Sequence, residues 1–228
     1  MTVGIIGAMR EEIEPLLALT GNYEAIDYAN NTFYKTTYKD HTLVIVYSKI
    51  GKVNSTLTAT MLIEHFGAEK VIFSGVAGAV NESLKVGDLV LATKLIQHDV
   101  DITAFGHPFG FIPESGDYVE ADAGLNTIAE RVAGEMGLSL LKGIIATGDQ
   151  FIADEKKKNW IRETYNADAL EMEGASVAYV CANLGVPFCV LRAISDAADM
   201  DAGFSFDEFL VSSAKNSAQF VYKMLDHL

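Results

Sequence analysis

Residues 71–78 read Val71-Ile-Phe-Ser-Gly-Val-Ala-Gly78, three apolar residues followed by a run of mostly small ones. Continuous hydrophobicity without polar alternation is typical of a strand that is buried on both faces. Runs of the same character, rich in Val and Ile, recur at Val3–Ile6, Leu43–Val46, Leu89–Ala92, Ile144–Ala146 and Phe188–Leu191. They predict the central strands of an α/β protein.

Helical patterns lie between several of these strands. Asp122–Leu138 and Val177–Leu184 each carry apolar residues along one stripe, and Gly185 followed by Pro187 gives the second helix a stop signal. A capping-box sequence, Ser205-Phe-Asp-Glu208, predicts the start of the last helix.

The segment Tyr23–Tyr47 reads instead as consecutive strands, with turns at Asn30-Asn31 and Lys39-Asp40. Together these elements predict a mixed sheet with helices on both sides. The chain carries no repeat, linker, low-complexity tract or compositional break. We therefore expect one domain over residues 1–228.

Composition and charge exclude several classes of protein. The 228 residues are 50% hydrophobic, and 17 Lys and Arg against 31 Asp and Glu give a formal net charge of −14. Such an acidic surface repels phosphate backbones and anionic membranes, so we expect no nucleic-acid or membrane partner. The N-terminus has no basic region before its apolar residues, and no apolar run is long enough to span a bilayer, which predicts a cytoplasmic protein. Cys181 and Cys189 fit neither a metal knuckle nor a disulfide framework, so we expect buried free thiols.

Ligands of open α/β sheets bind beyond the carboxyl ends of the strands. The corresponding segments of this chain combine small residues, which permit close approach of a ligand, with carboxylates or hydroxyls. They are Gly7–Glu12, Ser74–Gly78, Thr147–Ile152, Ala169–Glu173 and Arg192–Asp196. Their convergence predicts a small-molecule site at this edge of the sheet.

Several common chemistries lack their motifs. The sequence has no dinucleotide-binding fingerprint, no phosphate-binding P-loop and no nucleophile elbow. His98-Asp-Val-Asp101 has the residue types of a metal site but no second cluster of ligands. We therefore favour a structural or interface role for it and predict no metal.

Carboxylates are the remaining candidates for chemistry. A set of them suits an oxocarbenium-like transition state, as in glycoside cleavage, where one acid protonates the leaving group and another carboxylate activates water. For each residue alone, a surface or helix-capping charge is the simpler interpretation. The candidates are Glu12, Asp149, Glu171, Glu173 and Asp196.

Five motifs resemble those of a known family, in the same order. They are Gly4–Glu12, Ser74–Gly78, Thr147–Ile152, Glu171–Gly174 and Ser195-Asp196. From the first strand to the last helix, the chain resembles the 5′-methylthioadenosine/S-adenosylhomocysteine nucleosidases of the nucleoside phosphorylase superfamily. The resemblance implies a three-layer α/β/α sandwich around a mixed sheet, a homodimer, and hydrolysis of adenine nucleosides with no metal or organic cofactor.

The resemblance also assigns roles to single residues. Asp196 is expected to be the general acid that protonates adenine N7, so that adenine leaves neutral. Glu12 is expected to activate the attacking water, with Arg192 helping to orient it. Glu173 would hold the ribose 2′- and 3′-hydroxyls, and Met172 would pack against the sugar.

Further residues are expected to shape the pocket. By resemblance, Phe151 stacks on adenine, the Ile152 backbone binds the edge of the base, and Phe206 closes over the ribose. The neighbouring subunit is expected to line the 5′-substituent pocket with Ile102, Phe105 and Pro113. Many family members carry serine where Val76 lies, so a side-chain hydrogen bond from that position is lost. By the same resemblance, the residues expected to complete the pocket are Met9, Ile50, Val76, Ala77, Gly78 and Ser195.

Two other functions stay open at this point. A nucleoside phosphorylase on the same fold needs cationic groups for phosphate. The chain has four arginines, and Arg10 is followed by Glu11 and Glu12, so water is the favoured nucleophile. A non-catalytic sensor of adenine nucleosides would need neither Glu12 nor Asp196.

The substrate range is expected to include 5′-methylthioadenosine, S-adenosylhomocysteine and 5′-deoxyadenosine. Three segments resemble a subgroup from bacteria that use the futalosine route to menaquinone, and members of this subgroup also cleave 6-amino-6-deoxyfutalosine. These segments are Tyr47–Lys52, Gln97–Asp101 and Gly110–Ser115. Cleavage of 6-amino-6-deoxyfutalosine is therefore a hypothesis for this chain.

Overall fold

The computed structural model of the protein describes residues 1–199 and 201–228, and ten strands in this part of the chain form one sheet. The strands are β1 (Thr2–Gly7), β2 (Glu24–Tyr28), β3 (Asn31–Tyr38), β4 (His41–Tyr47), β5 (Lys70–Ala79), β6 (Leu89–Gln97), β7 (Val119–Glu120), β8 (Leu140–Thr147), β9 (Ala169–Glu171) and β10 (Phe188–Asp196). The α-helices are α1 (Arg10–Thr20), α2 (Lys52–Glu64), α3 (Ala123–Met136), α4 (Glu155–Tyr165), α5 (Gly174–Leu184) and α6 (Ala202–Met224).

The sheet is mixed and partly closed. Its strands follow the order β10-β6-β8-β9-β5-β1-β4-β3-β2, and β7 pairs with β6. Because β10 also pairs in parallel with β5, the strands β5, β10, β6, β8 and β9 form a closed circuit of pairing. The remaining strands β1, β4, β3 and β2 extend this circuit as an open sheet. The predicted mixed sheet is confirmed, whereas its partial closure was not predicted from the sequence.

Helices cover both faces of the sheet. The core on one face includes Leu62 of α2 and Val177 of α5, and the core on the other includes Leu16 of α1, Val132 of α3 and Phe220 of α6. All five side chains are almost fully buried, and burial of one such side chain contributes roughly 1.5–3 kcal/mol. The three-layer α/β/α arrangement predicted for the chain is confirmed.

Two segments that we expected to follow strands are the last residues of those strands. β5 continues through Ser74–Gly78 and β10 through Arg192–Asp196, because the two strands stay paired in parallel along both segments. The small residues permit close packing here: a Cβ atom on Gly75 would lie 2.5 Å from Glu12 Oε1. The polar side chains of these segments therefore project from strand ends, where the backbone is fixed by pairing.

Two predicted helix ends are confirmed and one is wrong. The Asp122 side chain caps α3 by accepting a 2.7 Å hydrogen bond from Leu125 N, and α5 ends at Gly185, whose φ is +69°. The last helix, however, begins before the predicted capping box. The Ser205 N–H already donates to the Asp201 carbonyl at 3.0 Å, so Ser205 lies inside α6 and does not cap it.

The predicted hairpins of Tyr23–Tyr47 are confirmed as β2, β3 and β4, which pair in antiparallel order. Cys181 and Cys189 are buried free thiols, as expected, and burial raises the pKa of each to about 12. Within residues 1–199 and 201–228, no helix has the length and apolar character needed to cross a membrane.

Candidate active site

A cavity of about 340 Å³ lies at the carboxyl ends of the strands. It takes residues from the segments that follow β1, β4, β8 and β9 and from the last residues of β5 and β10. The lining consists of Ala8, Met9, Glu12, Ile50, Val76, Ala77, Gly78, Phe151, Leu170, Glu171, Met172, Glu173, Ser195, Asp196 and Phe206. Every residue predicted for the site belongs to this lining except Asp149, Arg192, Ile152, Ile102, Phe105 and Pro113.

Glu12 lies in the first turn of α1 and is 4% exposed. Its Oε2 accepts hydrogen bonds from Ala8 N and from Met9 N, the latter at 2.9 Å, and its Oε1 accepts from Val76 N at 2.9 Å. Burial raises the pKa of Glu12 above its usual value, although Arg192 and the three N–H groups favour the charged form. The result is a buried carboxyl group that is held in one orientation and is a better base than an exposed one.

Asp196 ends β10 and is 3% exposed. Ser195 Oγ donates to its Oδ2 at 2.9 Å, and Ala198 N donates to its Oδ1 at 2.9 Å. Burial raises the pKa of Asp196 despite these two hydrogen bonds. A Cβ atom on Gly78 would lie 2.7 Å from Asp196 Oδ1, so the position beside the carboxyl group requires glycine. This carboxyl group therefore keeps its proton to a higher pH than an exposed aspartate does.

Glu173 precedes α5 and is 5% exposed. A helix-capping role was the simpler interpretation of its position, but its side chain does not cap α5. Instead, Oε1 accepts a 2.8 Å hydrogen bond from Gly51 N. Burial, followed by the neighbouring charge of Glu171, raises the pKa of Glu173 to about 8. The carboxyl group therefore faces the cavity and is joined to the segment that leads into α2.

Arg192 lies behind the cavity and does not line it. Its Nη2 donates to Glu171 Oε2 at 2.6 Å, and its Nη1 donates to the carbonyls of Phe73 and Leu191 at 3.3 and 3.1 Å. The guanidinium group also stacks on the Phe73 ring, with 4.0 Å between its central carbon and the ring centroid. A direct contact between Arg192 and a bound water or ligand was the expectation from the resemblance, but the arginine is 1% exposed and engaged by Glu171.

Glu171 is the residue of the site to which sequence reasoning gave no role. It accepts hydrogen bonds from Thr147 Oγ1, Gly174 N and Arg192, and it lines the cavity. The sequence marks it only as one of several carboxylates, two residues before Glu173. Its pairing with Arg192 depends on how β9 and β10 fold together, so no local signal could have indicated it. Ala8 and Leu170 also line the cavity without having been predicted.

The cavity has an aromatic mouth. The ring of Phe151, which is 50% exposed, lies 5.7 Å from that of Phe206, and the two planes meet at 79°. Ile50, which is 52% exposed, belongs to the same lining. Exposed apolar side chains around a concave opening suit the binding of a flat, partly apolar ring.

Four of the predicted pocket residues lie outside the cavity of a single chain. The Ile152 side chain packs against the core that includes Ile161 of α4. Ile102, Phe105 and Pro113 belong to the segment between β6 and β7, and the Phe105 side chain is 81% exposed.

The carboxylates of His98–Asp101 are engaged by the protein itself. Asp99 Oδ1 accepts from Lys52 Nζ at 2.7 Å, and Asp101 Oδ1 accepts from Thr103 N at 2.9 Å. In the part of the chain that the structure describes, no group of three or more His, Cys, Asp or Glu side chains could hold a metal ion.

Three comparisons relate this chain to known proteins. Residues 2–226 match the family model described as the phosphorylase superfamily. Over 228 residues, and over the whole of both chains, the sequence is 58% identical to the aminodeoxyfutalosine nucleosidase of Campylobacter jejuni. It is 40% identical over 230 residues, again the whole of both chains, to the 5′-methylthioadenosine/S-adenosylhomocysteine nucleosidase of Bacillus thuringiensis.

A solved structure is similar along the same length. It is a crystal structure of the Helicobacter pylori methylthioadenosine/adenosylhomocysteine nucleosidase, an aspartate-to-asparagine mutant with 5′-methylthioadenosine in the active site. The TM-score is 0.98 at 52% identity, with 100% of this chain and 99% of that chain covered. The predicted resemblance is thereby confirmed: the chain belongs to the phosphorylase superfamily and, within it, to the family of methylthioadenosine/adenosylhomocysteine and aminodeoxyfutalosine nucleosidases.

Proposed function

We propose that this chain hydrolyses the N-glycosidic bond of adenine nucleosides and releases adenine and the 5′-substituted ribose. The observation that carries the proposal is the presence of Glu12, Glu173 and Asp196 together in one buried cavity. Glycosidic cleavage needs an acid for the leaving group and a base for water. The proposed steps transfer protons and add water, so they require no metal or organic cofactor.

Asp196 is the proposed general acid. Its burial favours the protonated form, and Ser195 and Ala198 fix the carboxyl group in one orientation. Donation of this proton to adenine N7 would neutralise the base as the bond to the sugar breaks. General acid catalysis of this kind contributes about 10²–10⁴-fold to a rate.

Glu12 is the proposed base. The N–H groups of Ala8, Met9 and Val76 hold its carboxylate, and none of them requires a particular side chain. The valine at position 76 therefore leaves the orientation of Glu12 unchanged, although the family serine is absent. Arg192 is proposed to act indirectly, by neutralising and holding Glu171 beneath the cavity.

The remaining contacts are proposed to bind the nucleoside. Glu173 would accept hydrogen bonds from the ribose 2′- and 3′-hydroxyls, and Met172 would pack against the sugar. Phe151 would stack on adenine while the Ile152 backbone binds the base edge, and Phe206 would cover the ribose. The exposed rings at the mouth support this arrangement.

Water is the proposed nucleophile, in preference to phosphate. Phosphate sites are built from Arg, Lys or convergent N–H donors. The lining of this cavity includes Glu12, Glu171, Glu173 and Asp196 and no lysine or arginine. Glu12 already accepts the N–H groups of the β1–α1 turn that an anion would need. A sensor without catalysis would leave the burial of both Glu12 and Asp196 unexplained.

The proposed substrates follow the names of the relatives. They are 5′-methylthioadenosine, S-adenosylhomocysteine and 6-amino-6-deoxyfutalosine. 5′-Deoxyadenosine is proposed as well, from the resemblance to the family. Identity is 58% to an aminodeoxyfutalosine nucleosidase and 40% to a methylthioadenosine/adenosylhomocysteine nucleosidase, which favours the inclusion of the futalosine substrate.

A homodimer is part of the proposal, with Ile102, Phe105 and Pro113 of one copy completing the 5′-pocket of the other. The 81% exposure of Phe105 in a single chain supports this arrangement, because a large apolar side chain gains by being covered. Apolar side chains of α2 are also exposed, notably Val53 at 79% and Leu57 at 47%. A cytoplasmic location is proposed on the same sequence features as before, an N-terminus without a basic region and the lack of a long apolar run.

Incubation with 5′-methylthioadenosine in phosphate-free buffer tests the reaction directly. We expect adenine and free methylthioribose by chromatography, in amounts that added phosphate does not change. Release of a sugar 1-phosphate that depends on phosphate would identify a phosphorylase and contradict the role of Glu12. The same assay with 6-amino-6-deoxyfutalosine tests the substrate range, and inertness toward it would limit the chain to the smaller nucleosides.

A further inference from the structure

Asp99 joins two separate segments of the cavity wall, although it does not line the cavity. Its Oδ1 accepts a 2.7 Å hydrogen bond from Lys52 Nζ, and its Oδ2 accepts a 2.9 Å hydrogen bond from Asp149 N. Lys52 begins α2, two residues after Ile50, and Asp149 lies two residues before Phe151. Ile50 and Phe151 both line the cavity. Each oxygen of the Asp99 carboxylate thus holds one wall segment.

The two wall segments also contact each other directly. Asp149 Oδ1 accepts a 2.8 Å hydrogen bond from Lys52 N. Gly51, whose φ is +98°, lies so close that a Cβ atom there would be 3.0 Å from the same oxygen. The Gly51 N–H donates to Glu173, the carboxyl group proposed to hold the ribose hydroxyls. Lys52, Asp99 and Asp149 therefore form a connected group, here named the wall network, that reaches Glu173 through Gly51.

Strand pairing cannot hold these segments together. The segment of Ile50 follows β4 and that of Asp149 follows β8, and in the sheet β9, β5 and β1 lie between these two strands. Asp99 follows β6, which pairs with β8, so strand pairing brings it close to the Asp149 segment only. The wall network bridges this separation at the carboxyl ends of the strands. Lys52 Nζ makes a further 3.1 Å contact with Gln97 Oε1 at the end of β6.

The Lys52–Asp99 pair of the wall network is largely shielded from solvent, whereas Asp149 is exposed. The side chains of Lys52 and Asp99 are 19% and 13% exposed, whereas those of the Lys142–Glu130 pair on the surface are 49% and 45% exposed. Burial favours a neutral Asp99, but the hydrogen bonds from Lys52 and Asp149 outweigh it and lower the pKa of the carboxyl group. A shielded, hydrogen-bonded pair restricts its partners more than an exposed pair does.

His98 adds a steric contact on the same segment. The buried ring lies against Gly148, where a Cβ atom would come within 2.4 Å of His98 Nε2. Neither ring nitrogen has a hydrogen-bond partner among the described residues, so the imidazole contributes a packing surface. The segment that leads to Phe151 is thus fixed by Asp99 on its backbone N–H and by His98 on its glycine.

We propose that Lys52, Asp99 and Asp149 are positioning residues of the nucleoside site, which fix the Ile50–Lys52 and Gly148–Phe151 segments relative to Glu173. The inference rests on the proposed function in taking the bound ligand to be an adenine nucleoside. None of the three residues contacts the reacting atoms in this assignment. Their loss should weaken binding of the base and ribose more than it slows the chemical step.

Asp99→Asn tests the proposal, with Lys142→Met as the matched control because it breaks an exposed ion pair outside the cavity. For Asp99→Asn we expect the KM for 5′-methylthioadenosine to rise about tenfold while kcat changes less than about threefold. The Kd for adenine, measured by calorimetry, should rise in parallel. Amide hydrogen exchange should become faster in residues 50–54 and 147–152 together. Lys142→Met should change none of these quantities.

Distinct results separate the wall network from the nucleosidase activity. Unchanged KM and Kd in Asp99→Asn, with only a lower melting temperature, would assign the pair to stability and overturn the inference. If the wild-type chain binds adenine without cleaving the nucleoside, weaker binding by Asp99→Asn would still support the wall network while the proposed function fails. A wild-type chain that neither cleaves the nucleoside nor binds adenine would overturn both.

Lys52→Met removes the other partner of the ion pair and serves as the second variant if Asp99→Asn does not fold. It should raise KM and Kd in the same direction. Loss of native circular dichroism in both variants would show that the pair is needed for folding and would overturn a positioning role.

Discussion

Glu171 Oε2 lies 2.6 Å from Arg192 Nη2, and the two side chains are 3% and 1% exposed. The pair forms the floor of the proposed active site. Arg192 contacts the lining residue Glu171, and this ion pair withdraws it from any phosphate-like ligand. The remaining lone pairs of Glu171 accept Thr147 Oγ1 and Gly174 N, so the buried charge is fully hydrogen-bonded. Loss of either partner alone would leave an unpaired charge buried beneath the cavity.

Removal of one partner should be costly. Glu171→Gln leaves the Arg192 guanidinium buried without a counter-charge, and we expect a loss of about 3–5 kcal/mol in the free energy of unfolding. Urea denaturation measures this loss. Glu130→Gln, which breaks an exposed pair with Lys142, is the control and should cost no more than about 1 kcal/mol. Equal effects of the two substitutions would contradict the structural importance of the buried pair.

Asp196→Asn should abolish turnover and retain substrate binding, because the amide keeps the shape of the carboxyl group but has no proton to donate at neutral pH. We expect kcat to fall by about 10²–10⁴-fold. Calorimetry with 5′-methylthioadenosine should still detect binding. Burial raises the pKa of Asp196, and wild-type kcat should decline as the pH rises through that pKa, because the ionised carboxylate has no proton to donate. An unchanged kcat in the variant would refute the role.

Glu12→Gln should remove the base. Glutamine has a single acceptor oxygen, so it can accept a hydrogen bond from the N–H of Met9 or from that of Val76 but not from both. Because the amide cannot take a proton from water, we expect kcat to fall by about 10²–10⁴-fold with a smaller change in KM. Because Glu12 must be ionised to activate water, wild-type kcat/KM should fall as the pH drops below its raised pKa. Retention of this acidic limb in Glu12→Gln would assign it to another group.

The protein should lose stability as the pH rises from about 5 to 8. The pKa of Glu173 is raised from 4.5 to about 8 in the folded state, so in that interval the folded chain binds a proton that the unfolded chain has released. Each pH unit therefore lowers the free energy of unfolding by about 1.4 kcal/mol from this group. Glu173→Gln should flatten the dependence measured by urea denaturation, whereas Glu64→Gln, at an exposed position at the end of α2, should not.

The sequence predicts the elements that depend on local pattern. Apolar runs such as Leu43–Val46 lie within buried strands, and the Asp122 cap and the Gly185 stop mark helix ends, because hydrophobic burial and terminal hydrogen bonds act within a few residues. The extension of β5 through Ser74–Gly78 depends on pairing with β10, a contact between distant segments. The sequence predicts that these small residues follow the strand, whereas in the structure they belong to it and permit close packing.

For the site, too, the sequence predicts the residues that belong to local motifs but not the contacts between distant segments. Residues carried by the recognised motifs, such as Glu12, Glu173 and Asp196, meet in one cavity. The partner of Arg192 could not be foreseen, because Arg192 lies 21 positions after Glu171 and the whole of α5 lies between them. Asp99 likewise gains its contacts only when β4, β6 and β8 are assembled.

Complementation should reveal whether Phe105 acts in the partner's site. Phe105→Ala is expected to raise the KM for 5′-methylthioadenosine with little loss of stability, since the side chain is 81% exposed in one chain. If each site combines Asp196 of one copy with Phe105 of the other, a mixed dimer of Asp196→Asn and Phe105→Ala chains contains one site with both wild-type residues. Co-refolding the two variants should therefore restore activity with the wild-type KM. Activity that shows only the raised KM would assign Phe105 to its own chain and contradict the shared pocket.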